Sequence, residues 1–143
     1  MKRSDKMKVL FVCTGNTCRS PMAEGIAKNL YPNCMFSSAG IFAQENSPAT
    51  ENAIIAMKNM GIDISNHKAR QLTQDLADSA DIIVPMTESH YYTLLQAGIE
   101  KDKIKMFKSP VPDPFGQSLE VYEKTAKALK NNIKKLFGEN FDS

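Results

Sequence analysis

The spacing of apolar residues along this chain changes in a regular alternation. Residues 8–13, KVLFVC, form a short aliphatic run that ends in a turn-rich segment and predicts a buried strand. Met22, Ile26 and Leu30 then recur at helical spacing. Ser20 is expected to cap that helix, Pro21 suits its first turn, and Tyr31-Pro32-Asn33 stops it. Residues 34–40, CMFSSAG, predict a second strand. A helix is expected to open at Ser47-Pro48 and run through Ile54, Ile55 and Met57 to Gly61. Thr73 or Gln74 starts a short helix before a third strand at 81–86, DIIVPM. Thr87 caps a helix that carries Tyr91, Leu94 and Leu95 and ends at Gly98. KIKMFK, 103–108, predicts a fourth strand, and SPVPDPFGQS, 109–118, a proline-rich loop. The last helix, about 119–137, lines up Tyr122, Ala126, Leu129, Ile133 and Leu136 on one stripe.

Strands alternating with helices predict a single-domain α/β fold, a four-stranded parallel sheet with helices on both faces. In such folds ligands bind beyond the carboxyl ends of the strands, near a topological switch point. Composition leaves this picture intact. The 143 residues are 42% apolar and 24% charged, ordinary values for a globular domain with a real core. A net charge of +2 is too small to point to nucleic acid. No apolar run approaches the roughly 18 residues of a membrane span and no signal-peptide core opens the sequence, so neither nucleic acid nor membrane is an expected partner. Three cysteines do not make a disulfide scaffold, and a cytoplasmic location is expected. Residues 1–6, MKRSDK, are expected to be a disordered or non-native tail, with the domain spanning 7–143.

Candidate chemistry concentrates where the first strand ends. Cys13-Thr14-Gly15-Asn16-Thr17-Cys18-Arg19 places a cysteine, five residues and an arginine between a strand and a helix. Backbone N–H groups in such a turn can converge on one point with the helix N-terminus behind them, which makes an anion site. Gly15 allows close approach or positive φ, Asn16 tolerates left-handed geometry, and Arg19 offers a planar fork to two phosphate oxygens. The same field, with a hydroxyl donor such as Ser20, favours a thiolate on Cys13, which can attack phosphorus and form a phosphocysteine. The leaving group then needs a proton. Asp113, held between Pro112 and Pro114, is the candidate general acid, turning base for the attacking water in the second step.

These residues resemble the low-molecular-weight protein tyrosine phosphatase family. VLFVCTGNTCRSPMAEG is similar to its nucleophile loop, and SSAG (37–40), HKARQLT (67–73), MTES (86–89) and PDPFG (112–116) resemble family segments in the same order. The resemblance runs from Val9 to the last helix. It implies a four-stranded parallel sheet, no cofactor and no metal. It also implies Cys13 as nucleophile, Arg19 as phosphate clamp, Ser20 as thiolate stabiliser and Asp113 as general acid. Asn16, Ser38 and His67 match residues that brace the loop, and Cys18 matches a cysteine that forms a reversible disulfide with Cys13. The substrate-binding set is Thr14, Gly15, Asn16, Thr17, Cys18, Ser20, Phe42 and Phe115. The expected partners are phosphorylated proteins, with inorganic phosphate or another oxyanion in the loop.

Two positions depart from the tyrosine-directed members. Thr17 stands where those usually carry Ile or Leu, and Phe115-Gly116 replaces an aromatic pair after Asp-Pro. The combination resembles the bacterial protein-arginine phosphatase branch, in which Phe42 and Phe115 would line the entrance. Thr17 tips the expected substrate towards phosphoarginine; phosphotyrosine is the alternative. Arsenate reduction is a distant one, because it needs a cysteine relay and no cysteine follows Cys34. A loop that only binds a phosphorylated partner is disfavoured by the joint presence of Cys13, Arg19 and Asp113. Cys34 is expected in the core, His90 on an exposed helix face, and Tyr91, Tyr92 and Tyr122 in packing roles. The lysines between 124 and 135 should form a solvated face, and the cysteine spacing fits no zinc site.

Overall fold

A computed structural model describes residues 6–141 of the chain. Most of the expected tail, residues 1–5, lies outside the described residues. Three strands form one sheet in the order β2-β1-β3: β1 (Lys8–Cys13), β2 (Met35–Gly40) and β3 (Ile82–Pro85), with β1 parallel to both neighbours. The helices are α1 (Arg19–Leu30), α2 (Glu51–Lys58), α3 (Gln74–Ser79), α4 (Glu88–Gln96) and α5 (Leu119–Phe137).

Strand β1 is buried on both faces, as a central parallel strand must be. Val9, Phe11 and Cys13 face a core shared with Met22 and Ile26 of α1, Met57 of α2, and Tyr122, Leu129 and Ile133 of α5. Leu10 and Val12 point the other way, into a smaller cluster with Ala77 of α3, Ile83 of β3 and Leu94 of α4. The expected stripe on α5 is therefore the side that packs, and its lysines 124, 127, 134 and 135 are exposed. Cys34 packs against the larger core while remaining half-buried.

The fourth expected strand is a correction. Residues 103–108 contribute one isolated parallel bridge, Ile104 to Ile83, with Lys105 N–H donating to Ile83 O at 2.9 Å. In that register the next ladder bond would need an N–H from Pro85, which has none. Ile104 and Phe107 still bury their side chains, so the apolar signal is real while the ladder stops.

The helix expected from Ser47 begins only at Glu51. Asn46 N–H donates to Ala69 O and Ala69 N–H to Ser47 O, both at 2.8 Å, while Thr50 N–H donates to Thr17 O at 2.9 Å. Those tertiary bonds hold 46–50 extended against the local helix signal. Ser20 does not cap α1 either; Cys18 occupies the N-cap position with no side-chain cap bond. Thr73, Thr87 and Ser118 do cap α3, α4 and α5, and Gly61 and Gly98 take positive φ after α2 and α4.

The carboxyl ends of the three strands meet beneath residues 14–18. Gly40 closes β2 against that loop: a Cβ there would lie 2.6 Å from Thr14 O and 2.9 Å from Asn16 N. Both are backbone atoms, so the loop itself would have to shift. Gly40→Ala should destabilise the fold by about 1–3 kcal/mol and weaken inorganic phosphate binding. Thermal melts with and without phosphate check both effects; an unchanged phosphate shift would show that the loop tolerates the methyl.

Candidate active site

The loop after β1 is shaped by Asn16, which is fully buried with φ 58. Asparagine tolerates this left-handed geometry better than most residues. Its side chain ties three segments together: Nδ2 donates to Ser20 Oγ at 2.8 Å and Ser38 Oγ at 2.9 Å, and Oδ1 accepts Arg70 N–H at 3.0 Å. His67 Nε2 lies 2.7 Å from Asn16 O, so it carries the proton and donates to that carbonyl.

The donors in this network have one consistent direction. Glu24 Oε1 accepts the Ser38 hydroxyl at 2.6 Å, so Ser38 Oγ is free to accept from Asn16. Ser20 Oγ likewise accepts from Asn16, which leaves its own proton for Cys13 Sγ, 2.8 Å away. Ser20 therefore spends its hydroxyl on the thiol rather than on the helix end. Cys13 itself is buried at the floor of the loop.

Arg19, the first residue of α1, is 5% exposed yet reaches the far side of the site. Its Nη1 donates to Val111 O at 3.1 Å, and Nη2 lies 3.7 Å from Asp113 Oδ2. Asp113 Oδ1 accepts Phe115 N–H at 3.0 Å, an Asx turn that fixes the carboxylate on the Pro112–Gly116 loop. That carboxylate is half exposed, so the ion pair is a positioning contact more than a stabilising one.

Cys13, Thr14, Gly15, Thr17, Cys18, Arg19, Asp113 and Phe115 line one cleft of about 220 Å³. Asn16, Ser20, Ser38 and His67 lie behind it and touch the loop through the bonds above. Phe42 is 81% exposed and is not among the cleft's lining residues, although its backbone N–H donates to Thr14 O at 2.8 Å. A larger cleft, about 490 Å³, lies on the opposite side of these supports between Glu24, Asp63, His67 and Arg70, away from the thiol. Cys18 Sγ sits 3.4 Å from Tyr122 Oη and 3.6 Å from Thr50 Oγ1. Tyr122 is thus buried packing with a polar tip on Cys18, and burial first, then the Cys18 contact, pushes its phenol up to about 12.

His90 overturns the expectation of an exposed helix residue. It is 6% exposed, with its ring between Thr14 and Thr87. Burial first and the Arg19 cation second lower it to about 4, against an opposing effect of Asp113. The sequence carried one signal for it: a polar residue three positions after a capping threonine. Gly40 and Glu24 were missed as well: Gly40 meets the loop from β2, and Glu24 reaches it only through Ser38 of β2. No group of His, Cys, Asp and Glu among the described residues could hold a metal ion, and no helix there is long and apolar enough to cross a membrane.

A cleft at the carboxyl end of a parallel sheet, with a buried thiol at its floor and a guanidinium beside it, fits the cysteine-based phosphatases as a class. The sequence profile of the low molecular weight phosphotyrosine protein phosphatases matches residues 8–142, and the chain belongs to that family. It is 38% identical to the protein-arginine-phosphatase of Bacillus subtilis (strain 168) over 142 residues, covering 91% of this chain and 94% of the relative. Among solved structures, the YwlE arginine phosphatase, as a cysteine-to-serine mutant with a phosphorylated active-site serine, superposes with a TM-score of 0.86. That pair shares 37% identity and covers 91% of this chain and 93% of the other. The low molecular weight protein tyrosine phosphatase from T. tengcongensis is 44% identical, with a TM-score of 0.82 over 92% of this chain and 97% of its own.

Proposed function

We propose that the chain dephosphorylates proteins through a phosphocysteine on Cys13, with phosphoarginine as its preferred substrate. The observation that carries the reading is the single cleft in which Cys13, Arg19, Asp113 and Thr17 meet. In the first step the Cys13 thiolate attacks phosphorus while the loop amides and Arg19 hold the equatorial oxygens. The S–P bond forms as the bond from phosphorus to the leaving nitrogen or oxygen breaks, and Asp113 donates its proton to that atom. In the second step water attacks the phosphocysteine, Asp113 takes a proton from it, and phosphate leaves as the thiolate re-forms. Ser20 supports the thiolate through its directed hydroxyl, and Asn16, Ser38 and His67 hold the loop in shape. Every step uses this chain's own groups and water. Cys18 is the proposed redox partner of Cys13, and the proposed setting is cytoplasmic, where reduced thiols persist.

Thr17 supports the arginine reading. It lines the cleft, its carbonyl is held by Thr50 N–H, and its side chain is smaller and more polar than the aliphatic residue that would pack on a phenyl ring. The arginine phosphatases among the relatives support the same choice, and the tyrosine phosphatase at 44% identity keeps phosphotyrosine as the second reading. Thr17→Ile should move the ratio of kcat/KM values from phosphoarginine towards phosphotyrosine peptides by on the order of 10- to 100-fold. Phosphate release from both peptides measures it. A strong wild-type preference for phosphotyrosine would remove the arginine reading while leaving the phosphocysteine mechanism in place.

A further inference from the structure

His90 joins two segments far apart in sequence, the N-terminus of α4 and the residue that follows the thiol. Its Nδ1 lies 3.1 Å from Thr87 Oγ1 and its Nε2 lies 2.9 Å from Thr14 Oγ1. Thr87 Oγ1 already accepts the backbone N–H of His90 at 3.3 Å as the helix cap, so its own proton is free for Nδ1. A neutral imidazole that accepts at Nδ1 carries its one proton on Nε2. That proton then goes to Thr14 Oγ1. Burial and the nearby Arg19 cation keep the ring neutral, against the opposing Asp113 carboxylate. Once Thr14 Oγ1 accepts from the α4 side, its hydroxyl proton must find an acceptor elsewhere. Thr14 is exposed and lines the cleft with Cys13, Arg19 and Asp113.

We infer that His90 is a positioning residue of this site: it commits the Thr14 hydroxyl to donate into the cleft, onto an oxygen of the bound phosphoryl group. The inference rests on the proposed binding of a phosphoryl group above Cys13. It adds Thr14 to the side-chain donors around Cys13, and it makes α4 a support of the site as well as a cover for the sheet.

The ring itself can be read without any substrate. In 15N NMR of the wild type, His90 should show a protonated Nε2 and an unprotonated Nδ1, neutral down to about pH 4. Thr14→Val should shift the Nε2 resonance. A protonated Nδ1, or titration at the ordinary 6.5, would overturn the assignment. Kinetics then test the consequence. His90→Leu and Thr14→Val should each lower kcat/KM by about five- to tenfold, the cost of one hydrogen bond, for phosphoarginine peptides and for aryl phosphates. The double variant should be no worse than either single one. His90→Gln, whose amide N–H can take the place of Nε2–H, should keep most of the activity. Additive losses would break the proposed link between the two residues.

Inorganic phosphate binding separates this inference from the functional reading. Phosphate should bind the wild type several-fold more tightly than it binds exposed-site Thr14→Val, which keeps the test open should His90→Leu fold poorly. If that difference holds while neither peptide is hydrolysed, the functional reading fails and the role of His90 stands. If hydrolysis is normal while wild type and Thr14→Val bind phosphate equally, the role of His90 alone fails.

Discussion

Cys13→Ser should abolish phosphate release from protein substrates, with turnover falling by at least about 10⁴-fold, the scale on which removal of a nucleophile acts. A serine hydroxyl in the same place is a far weaker nucleophile than a thiolate, and no histidine stands beside Cys13 to deprotonate it. The contact 2.8 Å away is the Ser20 hydroxyl, which by its bond from Asn16 is a donor and not a base. The loop, Arg19 and the bracing bonds remain in the variant, so inorganic phosphate should still protect it against thermal unfolding. Two measurements therefore belong together: phosphate release and the phosphate-dependent melting shift. Loss of both would mean that the variant had lost the site as a whole. Activity retained in a folded, phosphate-binding variant would sink the phosphocysteine mechanism. The solved relative whose cysteine-to-serine mutant carries a phosphorylated active-site serine suggests a further check, since mass spectrometry of Cys13→Ser after incubation with substrate would reveal a trapped phosphoryl group.

Asp113→Asn should cost on the order of 10²–10⁴-fold with substrates that leave poorly, and much less with activated aryl phosphates. The reason is the leaving atom. A phenolate made stable by electron withdrawal departs without a proton, whereas the guanidine nitrogen of arginine or the phenolic oxygen of tyrosine requires one. The amide of asparagine keeps the Asx turn, because its carbonyl oxygen can still accept Phe115 N–H. It also keeps an uncharged polar group near Arg19, so the loop should stay in place. The measurement is a plot of log kcat against leaving-group pKa for wild type and variant. A steeper slope in the variant is expected. Equal losses across the series would show that Asp113 matters for shape or charge and not as the acid.

Much of the site could be read from local sequence because its central residues are close neighbours. Cys13, Thr14, Gly15, Asn16, Thr17, Cys18, Arg19 and Ser20 lie on one loop and one helix turn, so their spacing alone placed a thiol and a guanidinium in one cleft. Asp113 could be picked out from the other carboxylates because two prolines restrict its loop. Phe42 rested on the family resemblance and not on local spacing; its side chain is exposed outside the cleft's lining, while its backbone N–H holds the Thr14 carbonyl.

What escaped the sequence lies in contacts between distant segments. Whether Ser20 caps its helix or faces the thiol is decided by Asn16, whose amide needs two hydroxyl acceptors and finds one on α1 and one on β2. His90 reads as surface until α4 packs and brings it within 2.9 Å of Thr14. Gly40 reads as a strand end until the loop settles over it. The fourth strand failed on a ladder bond that Pro85 cannot donate, which depends on the register between two segments and not on the pattern of either. By itself, the sequence determined the alternation of elements, the faces of the helices and the crowding of polar and thiol groups on the loop after β1, because these follow from periodicity and near-neighbour chemistry. Tertiary structure alone decided which way each hydroxyl points, which histidine is buried and where the sheet ends. Hydrogen-bond direction and burial are properties of pairs of segments, and a single segment carries no record of its partner.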